Sequence, residues 1–225
     1  MARTIAKDYD AKRTAILKKS AQYFADQGYD RASVSQVAGA CGISKSLIYH
    51  YYESKEQLLF DILQSHLNAI HECVTAISNH NKDPKTHLRH LVAELLTAYR
   101  GADAEHRLQL QSTTALSLEQ QHELAETQRA IVKVFADTIE SIAPDYLQDM
   151  PQHQRPITMS LFGMLNWFYL WYQPGRSMNR IEYANLATDI LLGGLDRLKD
   201  AGDQIHMRNT PVSYTHLTLP TSDLV

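Results

Sequence analysis

Between Ser33 and Gln57 the chain carries three helix starts and one helix stop, and this punctuation limits the folds open to it more than any other feature. Ser33-Val34-Ser35-Gln36 has the form of a capping box, in which the serine hydroxyl takes an amide three residues on and the glutamine reaches back. Gly42 can supply the left-handed residue that stops the helix so begun. Ser44 is placed to N-cap a second short helix through Tyr51, and Ser54-Lys55-Glu56-Gln57 repeats the box ahead of a longer apolar-periodic run. Two short helices across a tight turn, followed by a long one, leave no place for a strand.

The flanking segments continue the helical pattern. From Tyr9 to Gln27, Ile16, Leu17, Ala21 and Phe24 fall on one face and Lys12, Lys18 and Asp26 elsewhere, which predicts an amphipathic helix stopped by Gly28. From Lys55 to about Ser78, Leu58, Leu59, Ile62, Leu67, Ile70 and Val74 mark a long helix, roughly 36 Å at about 1.5 Å per residue. Pro84, Gly101, Pro144 with Pro151, and Pro174-Gly175 divide the remainder into helices near 85–100, 104–115, 119–142, 154–173 and 180–199. The fold class is therefore all-α. After Arg208 the composition turns to Thr, Ser and Pro without helical period, and residues 209–225 read as a non-native or disordered tail. Were it native, the partial alternation of Val212, Tyr214, His216 and Leu217 would suit a loose strand.

Charge is distributed to match a two-part organisation. Residues 1–55 hold nine Lys or Arg against five acids, whereas the rest holds thirteen against twenty, so a basic head precedes an acidic body. Local attraction to phosphate needs such a head. A helix-turn-helix can seat one helix in the DNA major groove while its neighbours hold the backbone. On the second short helix Lys45, Ser46, Tyr49 and His50 are the polar side chains for that task, with Leu47 or Ile48 and Tyr52 as inward anchors. Lys55 adds a cation beside the open amides of a helix start, a phosphate-binding arrangement. An ordinary bundle corner with surface tyrosines is the bland alternative.

The stretch from Lys12 to Leu59 resembles the N-terminal domain of TetR/AcrR-like transcriptional regulators. Ile16, Ala21, Phe24, Gly28, Val34, Val37, Ala38, Gly42, Ser44, Tyr49, Lys55 and Leu58 match in order and without gaps. The resemblance implies a three-helix DNA-binding domain over 1–54, joined by the long helix to a ligand-binding and dimerisation domain over 55–208. It implies phosphate contacts for Ser33, Tyr49 and Lys55, and base contacts for Lys45, Ser46 and His50, with Ser44, at the start of the recognition helix, also among the DNA-binding residues. Tyr51 stands where many members carry histidine, and its hydroxyl can still donate to phosphate. The implied partners are a double-stranded palindromic operator, a second copy of the chain, and a small-molecule effector; the implied activity is repression in the cytoplasm.

In the body, residues 157–172 are apolar nearly all round, which predicts burial on every side. Sixteen residues with Thr158, Ser160, Gly163 and Asn166 are too few and too polar to cross a membrane. The family resemblance implies a four-helix interface built by this helix and the last one, where Ala184, Ala187, Gly193 and Gly194 permit close approach. Phe162, Trp167 and Trp171 can serve as that interface or as the wall of a ligand cavity. The segment from Gly163 to Leu195 is also similar to members that respond to acyl-CoA thioesters. Arg129, Arg155 and Arg176, with Arg180, are candidate cations for the phosphates of such a ligand, and an uncharged hydrophobic inducer is the competitor.

Other chemistries find little support. His66, His71, His80, His87 and His90 invite a metal reading, but no Cys or carboxylate joins them at a ligand spacing. No GxSxG, Walker loop or GxGxxG occurs, so neither an enzyme nor a cofactor is expected; a helical enzyme or interaction module is the competing class. Two cysteines, Cys41 and Cys73, form no CxxC, and the charged start lacks a leader's apolar core, which together predict a reducing cytoplasmic setting.

Overall fold

A computed structural model describes residues 2–77, 83–173, 175–176 and 178–205, with side chains between Tyr9 and Asp200. His80 and the tail 209–225 lie outside the described residues. Every regular element among the described residues is helical.

The head comprises α1 (Ala2–Gln27), α2 (Val34–Cys41) and α3 (Lys45–Tyr51). α1 begins well before Tyr9, the expected start, and ends at Gly28, whose φ of 83° is left-handed. α2 has the full capping box, and Gly42 closes it at φ 72°, its amide reaching Ala38 and Gly39 carbonyls. Phe24, Val37, Ala38, Ile48 and Tyr52 are buried at the centre of these three helices.

Helix α4 (Lys55–Ala76) belongs to both parts of the molecule. Ser54 caps it by accepting from the Gln57 amide, but the expected second half of the box does not form. The Gln57 side chain turns forward to Asp61 at 3.2 Å, and Asp61 also receives Arg13 at 2.6 Å, which ties α1 to α4. A carboxylate one turn along with an arginine beside it competes better for that amide than a backbone N–H does.

The body adds α5 (Pro84–Ala98), α6 (Asp103–Gln111), α7 (Leu118–Ile142), α8 (Pro144–Asp149), α9 (Gln154–Asn166), α10 (Phe168–Trp171) and α11 (Arg180–Ile205). α5 packs against α4, α7 and α11, and α9 against α7 and α11. α6 lies against α1 and α4, so the head touches the body at two places. Apolar burial runs without interruption from Ile16 to Leu195.

Three departures from the expected elements have physical causes. The helix expected near 104–115 stops at Gln111 and gives way to a 3-10 turn, Thr113–Ala115; the Thr113 hydroxyl takes the Gln109 carbonyl at 2.7 Å. Pro144 does not only interrupt; at N1 it starts α8. The helix expected over 154–173 breaks at Trp167, because the Leu170 amide moves one residue along to the Trp167 carbonyl and frees that of Asn166. His106 takes it at 3.2 Å.

Candidate nucleic-acid interface and effector region

The recognition helix is held from behind and open in front. Ser44 accepts from the Leu47 amide at 3.1 Å and fixes the start of α3. Ile48 and Tyr52 are buried, so of the two alternatives for the inward anchor it is Ile48 that turns in. Leu47 instead lines an apolar cleft of about 190 Å³ between α1 and α3, with Ile16, Ile43 and Tyr51. Ser44, Lys45, Ser46, Tyr49 and His50 are all exposed. The Lys45 ammonium lies 5.8 Å from the Tyr49 ring centre, which keeps a cation and a phenol together one turn apart.

The flanking residues are more engaged than the sequence suggested. The Ser33 hydroxyl donates to the Gln36 side-chain carbonyl at 2.9 Å while accepting from the Gln36 amide. Tyr51 is half-buried and stacks on Tyr9, ring centres 5.0 Å apart. Lys55 departs furthest from expectation. Its ammonium lies within hydrogen-bond reach of the carbonyls of Tyr29 (3.1 Å), Asp30 (3.4 Å) and Ala32 (3.2 Å), and 4.3 Å from the Tyr29 ring centre. Three donors meeting three carbonyls pin the loop between α1 and α2 to the start of α4.

In the body the expected ligand residues lie in different settings. Phe162 is buried edge-on against Phe135, 5.0 Å between ring centres. Trp167 and Trp171 are 61% and 44% exposed, so one chain alone does not bury the apolar run on every side. Arg129 on α7, Arg155 on α9 and Arg176 in the turn between α10 and α11 are exposed. Arg180 is the buried one: it donates to the Leu96 carbonyl, pairs with Asp103 at 3.7 Å, and covers the rings of Phe168 and Tyr172.

A buried polar cluster that no local motif signals lies between α4, α5, α6 and the break after α9. Tyr99 donates to the Asn166 side-chain carbonyl at 3.0 Å, and His106 contacts the Asn166 backbone carbonyl. The His106 ring is 4.6 Å from Tyr99, 6.2 Å from His66 and 5.5 Å from Tyr169, centre to centre. Burial, and then the nearness of His106, lowers the His66 pKa from 6.5 to about 3. Burial also lowers that of His106, against an opposing pull from the Asn166 carbonyl and Asp103. Burial raises the Tyr99 phenol. All three side chains are therefore neutral near pH 7. Next to His106, Arg107 donates to the Ala25 carbonyl at 3.1 Å, in the last turn of α1.

His66 is the member of the expected histidine set that enters this cluster, without metal-ligand company. Among the described residues no three His, Cys, Asp or Glu side chains are arranged to hold a metal ion. Among them, too, no helix is long and apolar enough to cross a membrane.

Comparison with known proteins agrees with this geometry. Residues 16–62 match the family model for bacterial regulatory proteins of the tetR family, and residues 81–195 match that for the Tetracyclin repressor-like C-terminal domain. A TetR-family transcriptional regulator from Bordetella parapertussis 12822 is similar in structure. It has 31% identity and a TM-score of 0.75, over 80% of this chain and 93% of that one. The transcriptional repressor KstR2 of Mycolicibacterium smegmatis is 23% identical over 188 residues, 82% of this chain and 91% of that protein. The match to KstR2 of Rhodococcus jostii is 32% over 95 residues, and there the chain spans 45% of the relative's length. The fold is also that of AibR, solved with isovaleryl coenzyme A and operator DNA: 23% identity and TM-score 0.67, covering 80% and 98% of the two chains.

Proposed function

The chain belongs to the TetR family of bacterial transcriptional regulators, and on that premise we propose that it acts as a dimeric repressor released from a palindromic operator by a small-molecule effector. The observation that carries the DNA reading is α3: five exposed polar residues, Ser44 to Ser46 with Tyr49 and His50, on a helix held by the buried Ile48. In this reading Lys45, Ser46 and His50 meet base edges, where a good bidentate pair is worth about 1–3 kcal/mol of discrimination. Ser33, Ser44, Tyr49 and Tyr51 meet phosphates, and Lys55 acts behind them by holding the 29–32 loop that leads into Ser33.

Dimerisation uses the apolar strip left uncovered on α9, α10 and α11. Met159, Trp167, Leu170 and Trp171 on one side and Leu186 and Ile190 on the other are exposed large apolar residues. A side chain added at Gly163, Gly193 or Gly194 would meet nothing within its own protomer, so their smallness has no reason inside one chain. A second copy supplies the reason, since glycine in a helix costs about 1 kcal/mol against alanine. Trp167 and Trp171 thereby serve the interface.

Effector control follows from α4. His66 in the buried cluster stands eleven residues from Lys55, about 16 Å along the helix, so a shift at one end moves the other. A hundredfold loss of operator affinity needs a differential of about 2.7 kcal/mol between the two states. A CoA thioester of an aromatic or medium-to-long acyl acid is the proposed effector class; this fold accommodates isovaleryl coenzyme A in AibR. A gel-shift titration on DNA from upstream of its own gene, with phenylacetyl-CoA, octanoyl-CoA, free CoA and the free acids, tests this. Release by a thioester alone is expected, and release by no thioester would remove that class.

A further inference from the structure

The buried cluster contains polar atoms without partners. The Asn166 backbone carbonyl can only accept, so His106 must carry its proton on Nε2 to make the 3.2 Å bond. With the ring neutral, Nδ1 is then a bare lone pair, and it is buried without a hydrogen-bond partner in the chain. The Gln109 side-chain carbonyl oxygen, three residues on along α6, is buried and unpartnered as well. His66 Nε2 is a third buried polar atom in this state. Tyr99 offers no relief, because its hydroxyl proton is used on Asn166. Buried polar atoms are rarely left unpaired, and two orphaned acceptors one helical turn apart point to a missing donor.

The surroundings restrict what the donor can be. The groups around His106 are His66 from α4, Tyr99 at the end of α5, Asp103 from its own helix, and Asn166 and Tyr169 from the broken helix, with Gln109 one turn further along α6. The rings of Tyr99, His106 and Tyr169 provide aromatic walls, and half-buried Tyr169 lies on the side towards solvent. Arg180, the buried cation that reaches Asp103, is already engaged there and over the rings of Phe168 and Tyr172, so a carboxylate would be desolvated opposite lone pairs of the same polarity. We infer that this cluster is a subsite for an uncharged hydrogen-bond donor, a hydroxyl or amide N–H on an uncharged part of the effector, received by His106 Nδ1 and Gln109 Oε1. The inference rests on the effector reading given above. The same chemistry is offered by a free alcohol or phenol and by the amides and hydroxyl of a pantetheine arm.

The test uses the full-length protein with histidine labelled in the ring nitrogens, titrated with phenol, its donor-free isostere toluene, benzoate, and pantetheine. The expected result is a shift of the His106 Nδ1 resonance towards a hydrogen-bonded nitrogen on adding phenol or pantetheine, and none with toluene or benzoate. Phenol should bind about tenfold tighter than toluene, as one satisfied buried acceptor implies, and the preference should vanish in His106→Phe. Gln109→Leu, which keeps both rings, should reduce it several-fold. A response to phenol alone assigns a free hydroxyl, and a response to pantetheine alone assigns the arm. Equal binding of toluene and phenol, an unmoved Nδ1 with both donors, or a preference surviving His106→Phe would overturn the site. Operator affinity measured on the same samples separates the two claims. A donor that binds yet leaves operator affinity unchanged removes the effector role and leaves the subsite standing.

Discussion

Acidification should weaken this fold through His66, by about 2 kcal/mol at pH 5. The folded His66 ring takes a proton only near pH 3, whereas the unfolded one does so near 6.5. Between those values the unfolded state holds the extra proton, so stability present above pH 6.5 is lost as the pH falls towards 3. At pH 5 the loss is about 1.5 pH units at 1.36 kcal/mol each, or about 2 kcal/mol. His106, lowered for the same reason, adds to it with the same sign. A loss of this size is a large part of a total stability of about 5–15 kcal/mol. The assay is urea unfolding of the wild type and His66→Leu at pH 7.5 and pH 5, which cancels every titration the two proteins share. His66→Leu should lose about 2 kcal/mol less than the wild type between those pH values. Equal losses in the two proteins would refute a buried, neutral His66.

Three further outcomes follow from named contacts. In anisotropy titrations, Lys45→Ala or His50→Ala should change preference between operator variants, while Lys55→Ala should weaken all DNA alike, because the loop it pins carries no sequence information. Arg107→Ala, which releases the Ala25 carbonyl, should leave operator affinity within a few-fold but reduce the effector-induced change at least several-fold, read in the same titrations with and without effector. Ile190→Asp should dissociate the dimer by about tenfold or more in sedimentation, since an unpaired charge would be buried at the interface.

The head was legible in the sequence because its signals are local. Ser33, Gly42 and Ser44 act on amides and carbonyls within five residues, and the structure uses each as the spacing implied. The contacts of Lys55 within the chain were not legible, for the opposite reason. Its partners, the carbonyls of Tyr29, Asp30 and Ala32, lie 23 to 26 residues away and are brought close only by the packing of α4 on the head. The body repeats the contrast. His66 sits four residues from both Ile62 and Ile70, so its inward face could be read from helical period. Its companions Tyr99, His106 and Asn166 come from three further helices, and no periodicity marks their convergence. Trp167 was read as interface or cavity wall from the apolar run around it; that it turns outwards from its own chain follows from the break whose freed carbonyl His106 takes, which no periodicity marks.

The central claim is that α3 reads DNA as part of a dimer, and salt-dependent binding tests it most directly. The full-length protein should bind a fragment from upstream of its own gene at least about a thousandfold more tightly than random DNA of equal length, as specific regulators do. Affinity for both should fall steeply with salt, in proportion to the phosphates neutralised. Binding that does not distinguish the two fragments, or that is unaffected by salt, would contradict the account.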